Sequence, residues 1–195
     1  MTYSIIGSGK VGTALARQFA RNAIPVGIAN TRGALSLAAL TDELGGYLIA
    51  QTLEQALSAD VVILAIPFSA HRAIGRMFPD WHNRTIIDAM NTYGVALEEL
   101  EGQASTDVVA RAFAGGHVVK TFNQLPAALL AKDPAQDGGR RVMFVWGRDQ
   151  QANTRVTELV ERLGFAPISL GTIDDGGTLL GLGGPLILQN IIKYQ

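Results

Sequence analysis

Residues 3–16, Tyr-Ser-Ile-Ile-Gly-Ser-Gly-Lys-Val-Gly-Thr-Ala-Leu-Ala, leave the chain few ways to fold. A short apolar strand ends in a glycine turn, and a helix opens at once. Each glycine has a physical task. Gly7 permits the tight turn off the strand. Gly9 has no side chain, so the backbone can approach a pyrophosphate. Gly12, backed by Ala16, lets the helix pack closely on the strand. Ser8, Lys10 and Val11 complete the loop, and the helix N-terminus offers free N–H groups and a partial positive charge to phosphates. A glycine turn in an unrelated loop is the plain alternative. The context favours a dinucleotide site, because a helix over Val11–Asn22 and a second strand near Pro25–Ala29 complete a βαβ unit.

The end of that second strand selects the dinucleotide. An NAD site carries Asp or Glu there, about 20 residues past the glycines, to bond the ribose 2′-hydroxyl. Here the chain reads Ile28-Ala29-Asn30-Thr31-Arg32-Gly33, and the nearest acid downstream is Asp42. An amide, a hydroxyl and a guanidinium are donors that suit a 2′-phosphate, with Ser36 adding a further hydroxyl. Read blandly, Asn30 and Thr31 are turn residues and Arg32 is a solvated charge. The pattern favours NADP over NAD.

Composition bounds the rest. A chain of 195 residues, 48% hydrophobic and 17% charged, fits one domain over 1–195 with a good core. A net charge of −1 argues against nucleic acid and anionic membranes as partners. Cysteine is absent, which removes disulfides, thiolate metal sites and a catalytic thiol. No metal site is expected. The first residues read as a strand rather than a leader, and no apolar run reaches the roughly 18 residues of a membrane span. A cytoplasmic protein is the expectation.

Strand and helix signals alternate along the chain. Helices are expected over Ser36–Leu44, stopped by Gly45-Gly46, over Leu53–Ala59, capped by Thr52, and over Asp149–Leu163, ended by Gly164. Strands are expected at Tyr47–Ala50, Asp60–Ile66, Arg84–Ala89, His117–Phe122, Arg141–Trp146 and Ala166–Leu170. Lys132–Arg140 reads as a solvated loop. The tail, about 170–195, is apolar over Leu179–Ile192, is broken by Gly181, Gly183, Gly184 and Pro185, and resumes as a helix through Ile192. The pattern is that of an α/β fold, a Rossmann-type doubly wound, mostly parallel sheet with a short apolar C-terminal helical tail.

In such sheets a ligand crosses the carboxyl ends of the strands. The segments there are Gly7–Gly12, Asn30–Arg32, Ile66-Pro67-Phe68-Ser69-Ala70-His71, Met90-Asn91-Thr92-Tyr93 and Asn123-Gln124-Leu125-Pro126. Ile66 and Pro67 are placed against the linker between adenosine and nicotinamide, and Ser69 is expected to cap the next helix. His71 touches a phosphate or the nicotinamide ribose, or is a solvated histidine in a first helical turn. Asn91 and Asn123 bond the nicotinamide amide or the acceptor, or are turn residues, and Met90 beside Asn91 is placed with the cofactor-binding residues. His82 and His117 belong at the opposite end of the sheet. Asp88, Asp174 and Asp175 are scattered, and Asp88 reads as a buried or strand-end structural residue.

The chain resembles the NADPH-dependent oxidoreductases related to the coenzyme F420-dependent NADP reductases, and the nucleotide domain of the membrane ferric reductases of the STEAP type. The matching pieces are Gly7–Gly12, Ile28–Gly33, Asp60–Ile66 with Pro67, Val118–Asn123 with Pro126-Ala127, and Gly184–Leu188. The resemblance implies NADPH on the first loop, with its 2′-phosphate on Asn30, Thr31 and Arg32. It also implies hydride transfer to a planar acceptor, and a homodimer. The Lys120-Thr121-Phe122-Asn123 segment is nearer the ferric-reductase and general bacterial branch, so the acceptor stays open.

Hydride transfer between a nicotinamide and a flavin-like, deazaflavin or quinone-like ring needs stacked rings and little else, and no catalytic acid or base is assigned. Two other readings stand beside this one. A non-catalytic NADP(H)-binding, redox-sensing module would bind without turnover. A dehydrogenase of a small carbonyl or imine would need a proton donor, for which His71 and Tyr93 are the candidates. The tail is the candidate acceptor wall and dimer contact, or else packs on its own sheet.

Overall fold

The computed structural model describes residues 1–78, 80–172, 174 and 176–194, with the side chain of Leu97 left aside. The first strand β1 (Tyr3–Ile6) feeds α1 (Lys10–Arg21), and β2 (Val26–Ala29) follows. Then come α2 (Ala38–Leu44), entered through a 3-10 turn at Ala34–Leu37, β3 (Leu48–Ala50), α3 (Leu53–Leu57) and β4 (Val61–Leu64). A short turn at Phe68–Ala70 enters α4 (His71–Arg76), followed by β5 (Thr85–Asp88), α5 (Ser105–Ala112) and β6 (His117–Lys120). The C-terminal part holds α6 (Ala127–Leu130), β7 (Ala135–Gln136), β8 (Gly139–Gly147), α7 (Gln150–Arg162), β9 (Ala166–Ser169), α8 (Gly176–Leu179) and β10 (Ile192–Tyr194).

The strands lie in the order β3-β2-β1-β4-β5-β6-β8, parallel as far as β6. From β1 the chain winds outward first one way and then the other, so the switch point lies between β1 and β4. Both faces of this part are covered. Ile5, Ile63, Ile87 and Val119 point to the α1 and α7 side. Ile6, Val62, Leu64, Ile86 and Val118 point to the side of Trp81 and Phe113. Two buried faces are why β4 is the uninterrupted run Val-Val-Ile-Leu. The local signals hold too. Thr52 and Gln55 form a reciprocal capping box on α3, and the Asp149 side chain caps α7 by accepting from Ala152 N–H at 2.7 Å.

Two expectations are corrected, at Lys132–Arg140 and at the tail. The segment Lys132–Arg140 is a hairpin between β7 and β8, not an open loop. Asp137 and Gly138 both have positive φ, as a tight two-residue turn demands. The expected strand Arg141–Trp146 is present within β8 and supplies the antiparallel member of the mostly parallel sheet, beside β6. The tail is not a helix. Glycines 181, 183 and 184 with Pro185 end α8 after one turn, and Leu188 takes a left-handed conformation. The chain then pairs β10 antiparallel with the start of β8, Ile192 opposite Arg141 and Tyr194 opposite Gly139. A free strand edge offers backbone partners that a glycine-broken helix could not supply. No described helix is long and apolar enough to cross a membrane.

Candidate functional site

The glycine turn explains itself in atoms. Gly7 has φ +107°, and a Cβ on it would collide with the Ala65 carbonyl. A Cβ on Gly12 would collide with the Gly7 carbonyl, so α1 can sit this close to the turn only without a side chain there. Gly9 is different. A Cβ on it meets nothing within 4 Å, so it faces open space. It is also the N-cap of α1, no side chain caps that helix, and no acid lies in its first turn. The free end of α1 therefore points its amides and its partial positive charge into a groove.

That groove has two continuous halves along the carboxyl ends of the parallel strands. The narrower, about 370 Å³, is lined by Gly7, Ser8 and Gly9, by Asn30, Thr31 and Arg32, and by Ile66 and Pro67. The wider, about 510 Å³, runs from Gly9, Lys10 and Val11 past Pro67 and Phe68 to Met90, Asn91 and Tyr93. Gly9, Ala65, Ile66 and Pro67 line both halves.

At the narrow end the expected polar set comes together. The Asn30 amide donates to Ser8 Oγ at 2.7 Å and to Ser36 Oγ at 3.0 Å. Asn30 Oδ1 accepts the Arg32 backbone N–H at 2.8 Å, and Arg32 Nη2 donates to Ser8 Oγ at 3.1 Å. Arg32, Thr31 and Ser36 are exposed. Among the described residues no carboxylate lines this half. A pocket walled by hydroxyls, an amide and a guanidinium, with no acid facing it, is built to receive an anion.

Other candidates are placed differently. His71 lines neither half. It is buried, its Nδ1 lies 2.5 Å from the Phe68 carbonyl oxygen, and its ring packs 4.6 Å from that of Phe68. The apolar floor beneath α4 has taken it inward, so contact with a phosphate or ribose is withdrawn. Ser69 is no cap; it sits within the turn before α4, exposed in the wide half. Asn91 lines the groove while Asn123 is buried behind it. The Asn91 amide donates to the Asn123 carbonyl at 2.9 Å, and the Asn123 amide donates back to Asn91 Oδ1 at 3.0 Å. His82 is exposed beside Asp80, and His117 pairs with Asp149 at 3.5 Å at the amino end of β6. Asp174 pairs with Arg148, and Asp175 lies outside the described residues. The tail packs at the ends of β6 and β8, where the Leu180 carbonyl accepts from Asn123 and the Gln124 carbonyl accepts from Leu188 N–H.

Sequence reasoning missed Lys120. It is buried and paired with buried Asp88 at 3.0 Å. Its Nζ also donates to the Met90 carbonyl at 2.7 Å, and Thr106 Oγ1 donates to Asp88 Oδ2 at 3.1 Å. Removing one member alone would strand a buried charge, at a cost of about 3–5 kcal/mol. The signal available was a lysine inside an apolar strand; its pairing with Asp88 follows only from the β5–β6 register.

Comparison with known proteins places the chain by sequence and fold. Residues 2–92 match the family described as NADP oxidoreductase coenzyme F420-dependent. A rat protein, Metalloreductase STEAP3, is 26% identical over 87% of this chain; the chain spans 33% of that protein's length. The crystal structure of a hypothetical protein from Sinorhizobium meliloti is 43% identical, with 99% of this chain and 96% of that one aligned at a TM-score of 0.93. These two chains belong to one family. A putative F420-dependent NADP reductase from Arthrobacter sp. aligns over 99% of this chain and 100% of its own at a TM-score of 0.75 and 22% identity, a likeness of fold. The resemblance drawn from the motifs is borne out, and so is the doubly wound α/β class.

Proposed function

From a chain whose residues 2–92 match the coenzyme F420-dependent NADP oxidoreductases, we propose an NADP(H)-dependent oxidoreductase that passes hydride between the nicotinamide and a planar acceptor. The acceptor is flavin-like, deazaflavin or quinone-like. The observation that carries the reading is the acid-free cluster of Ser8, Asn30, Arg32 and Ser36 at one end of a groove whose middle is left bare by Gly9.

In this reading Asn30, Thr31, Arg32 and Ser36 hold the 2′-phosphate. Gly7–Gly12 and the free end of α1 hold the pyrophosphate, with Lys10 beside it. Ile66 and Pro67 support the linker, and Met90 and Asn91 face the nicotinamide. The bound nucleotide supplies the hydride. The chain's own part is to align two rings and keep water out, for which Pro67, Phe68, Met90 and Tyr93 give the wide half apolar and aromatic walls. We further propose that residues 1–195 act as one cytoplasmic unit. In this account it pairs with a second copy through the tail, where Leu182, Leu188, Ile191 and Tyr194 are exposed.

The test is oxidation of NADPH followed by nicotinamide absorbance with FMN, a deazaflavin and a quinone in turn. Turnover with one ring class supports the reading and identifies the acceptor. Tight NADPH binding without turnover on any ring would replace it with a binding, redox-sensing module. A third reading has an observation of its own: Tyr93 lines the wide half with its side chain exposed, while His71 is buried. If Tyr93→Phe abolishes turnover of a small carbonyl or imine, the protein is a dehydrogenase with Tyr93 as its proton donor.

A further inference from the structure

The ladder between β5 and β6 ends at the pair Asp88 and Lys120. Ala89 keeps one bond to the sheet, its N–H donating to the Leu64 carbonyl at 3.2 Å, and beyond it Met90, Asn91 and Tyr93 wall the wide half outside any strand. Both backbone groups of Met90 are nonetheless taken. Its N–H donates to Asp88 Oδ1 at 3.0 Å, and its carbonyl accepts from Lys120 Nζ at 2.7 Å. One ion pair thus holds one residue at both its backbone donor and its backbone acceptor, and so fixes two successive peptide units. Thr106 on α5 steadies the carboxylate. The next residue, Asn91, is then held by Asn123, which is tied in turn to the Leu180 carbonyl at 2.7 Å.

A buried ion pair is a poor source of stability, because desolvation offsets its attraction, and apolar side chains of the same volume would serve the core as well. What apolar side chains could not do is hold a peptide in one orientation. Neither Lys120 nor Asp88 lines the groove, whereas Ala89, Met90 and Asn91 do, all in the wide half. Resting on the NADP(H) reading, we infer that Lys120, acting with Asp88 through the Met90 backbone, is the positioning residue for the nicotinamide end of the site. The adenosine end, built on Ser8, Asn30, Arg32 and Ser36, is independent of it.

The two ends can be read separately with NADPH and with 2′,5′-ADP, which reaches only the adenosine end. The paired substitution Asp88→Asn with Lys120→Met removes both charges, so no buried charge is stranded, and it leaves the Met90 carbonyl without its donor. The expected result is an NADPH dissociation constant about tenfold weaker with 2′,5′-ADP binding unchanged. Thr106→Val removes one hydrogen bond to Asp88 at constant volume and guards against misfolding of the pair. It should weaken NADPH about two- to threefold, again with 2′,5′-ADP unchanged. If the NADPH to 2′,5′-ADP ratio stays at its wild-type value in either folded variant, or both ligands weaken equally, the inference is overturned and the pair is only structural. A wild-type protein that binds neither ligand would instead overturn the NADP(H) reading, and this inference with it.

Discussion

Arg32→Ala tests the 2′-phosphate assignment with little collateral change. The guanidinium is exposed, and among the described residues its one hydrogen bond goes to Ser8 Oγ. The turn itself is held by the Arg32 backbone N–H on Asn30 Oδ1 at 2.8 Å, which alanine keeps. Asn30 also keeps its bonds to Ser8 and Ser36. The loop should therefore stay in place, and only the contact with the phosphate is lost. A hydrogen bond to a charged group contributes about 1.5–3 kcal/mol. Taking about 2 kcal/mol for an exposed site, NADPH should bind about 30-fold more weakly. NADH has no phosphate there and should lose no more than about twofold, a few tenths of a kcal/mol. Calorimetric titration of both proteins with both nucleotides reads this directly. Equal losses for NADPH and NADH would refute the assignment.

Other consequences follow from the same geometry. Gly9→Val should fold with a cost of about 1 kcal/mol from the poorer helix cap, yet bind neither nucleotide, because its side chain enters the groove. Gly12→Ala should instead lose about 1–3 kcal/mol or more in denaturant unfolding, since its Cβ meets the Gly7 carbonyl. The Thr2 backbone N–H, donated to Asp60 at 2.6 Å, holds the Asp60 carboxyl below the usual carboxylate range. A depressed carboxylate stabilises the fold above its unfolded value, and the effect is lost as pH falls through the folded value. Asp60→Asn should therefore be less stable than the wild type at neutral pH, with the difference vanishing in acid; a difference that persisted in acid would contradict this.

The parallel half of the fold was legible because its signals are local. Gly7, Gly9 and Gly12 follow a strand and open a helix. β4 is apolar on both faces, and Thr52 caps α3 as expected, while Asp149, read as the first helical residue, is the cap of α7. The polar set at Asn30, Arg32 and Ser36 was legible for the same reason. The C-terminal part was not. Whether Ile192–Tyr194 is helix or strand is decided by the free edge of β8, far away in sequence. The Asp137-Gly138 pair did carry a hairpin signal that the loop reading passed over. His71 was misplaced because periodicity says which turn a residue occupies, not whether an apolar floor will draw it in. Lys120 stayed hidden because its partner depends on the register between β5 and β6.

The central claim is that the groove across the carboxyl ends of the strands holds NADP(H). Its most direct measurement is titration calorimetry of the wild-type protein with NADPH and with NADH. The account predicts one site per chain and NADPH bound at least about tenfold more tightly, the equivalent of about 1.4 kcal/mol from the 2′-phosphate contacts. No binding of either nucleotide, or equal affinity for both, would contradict it.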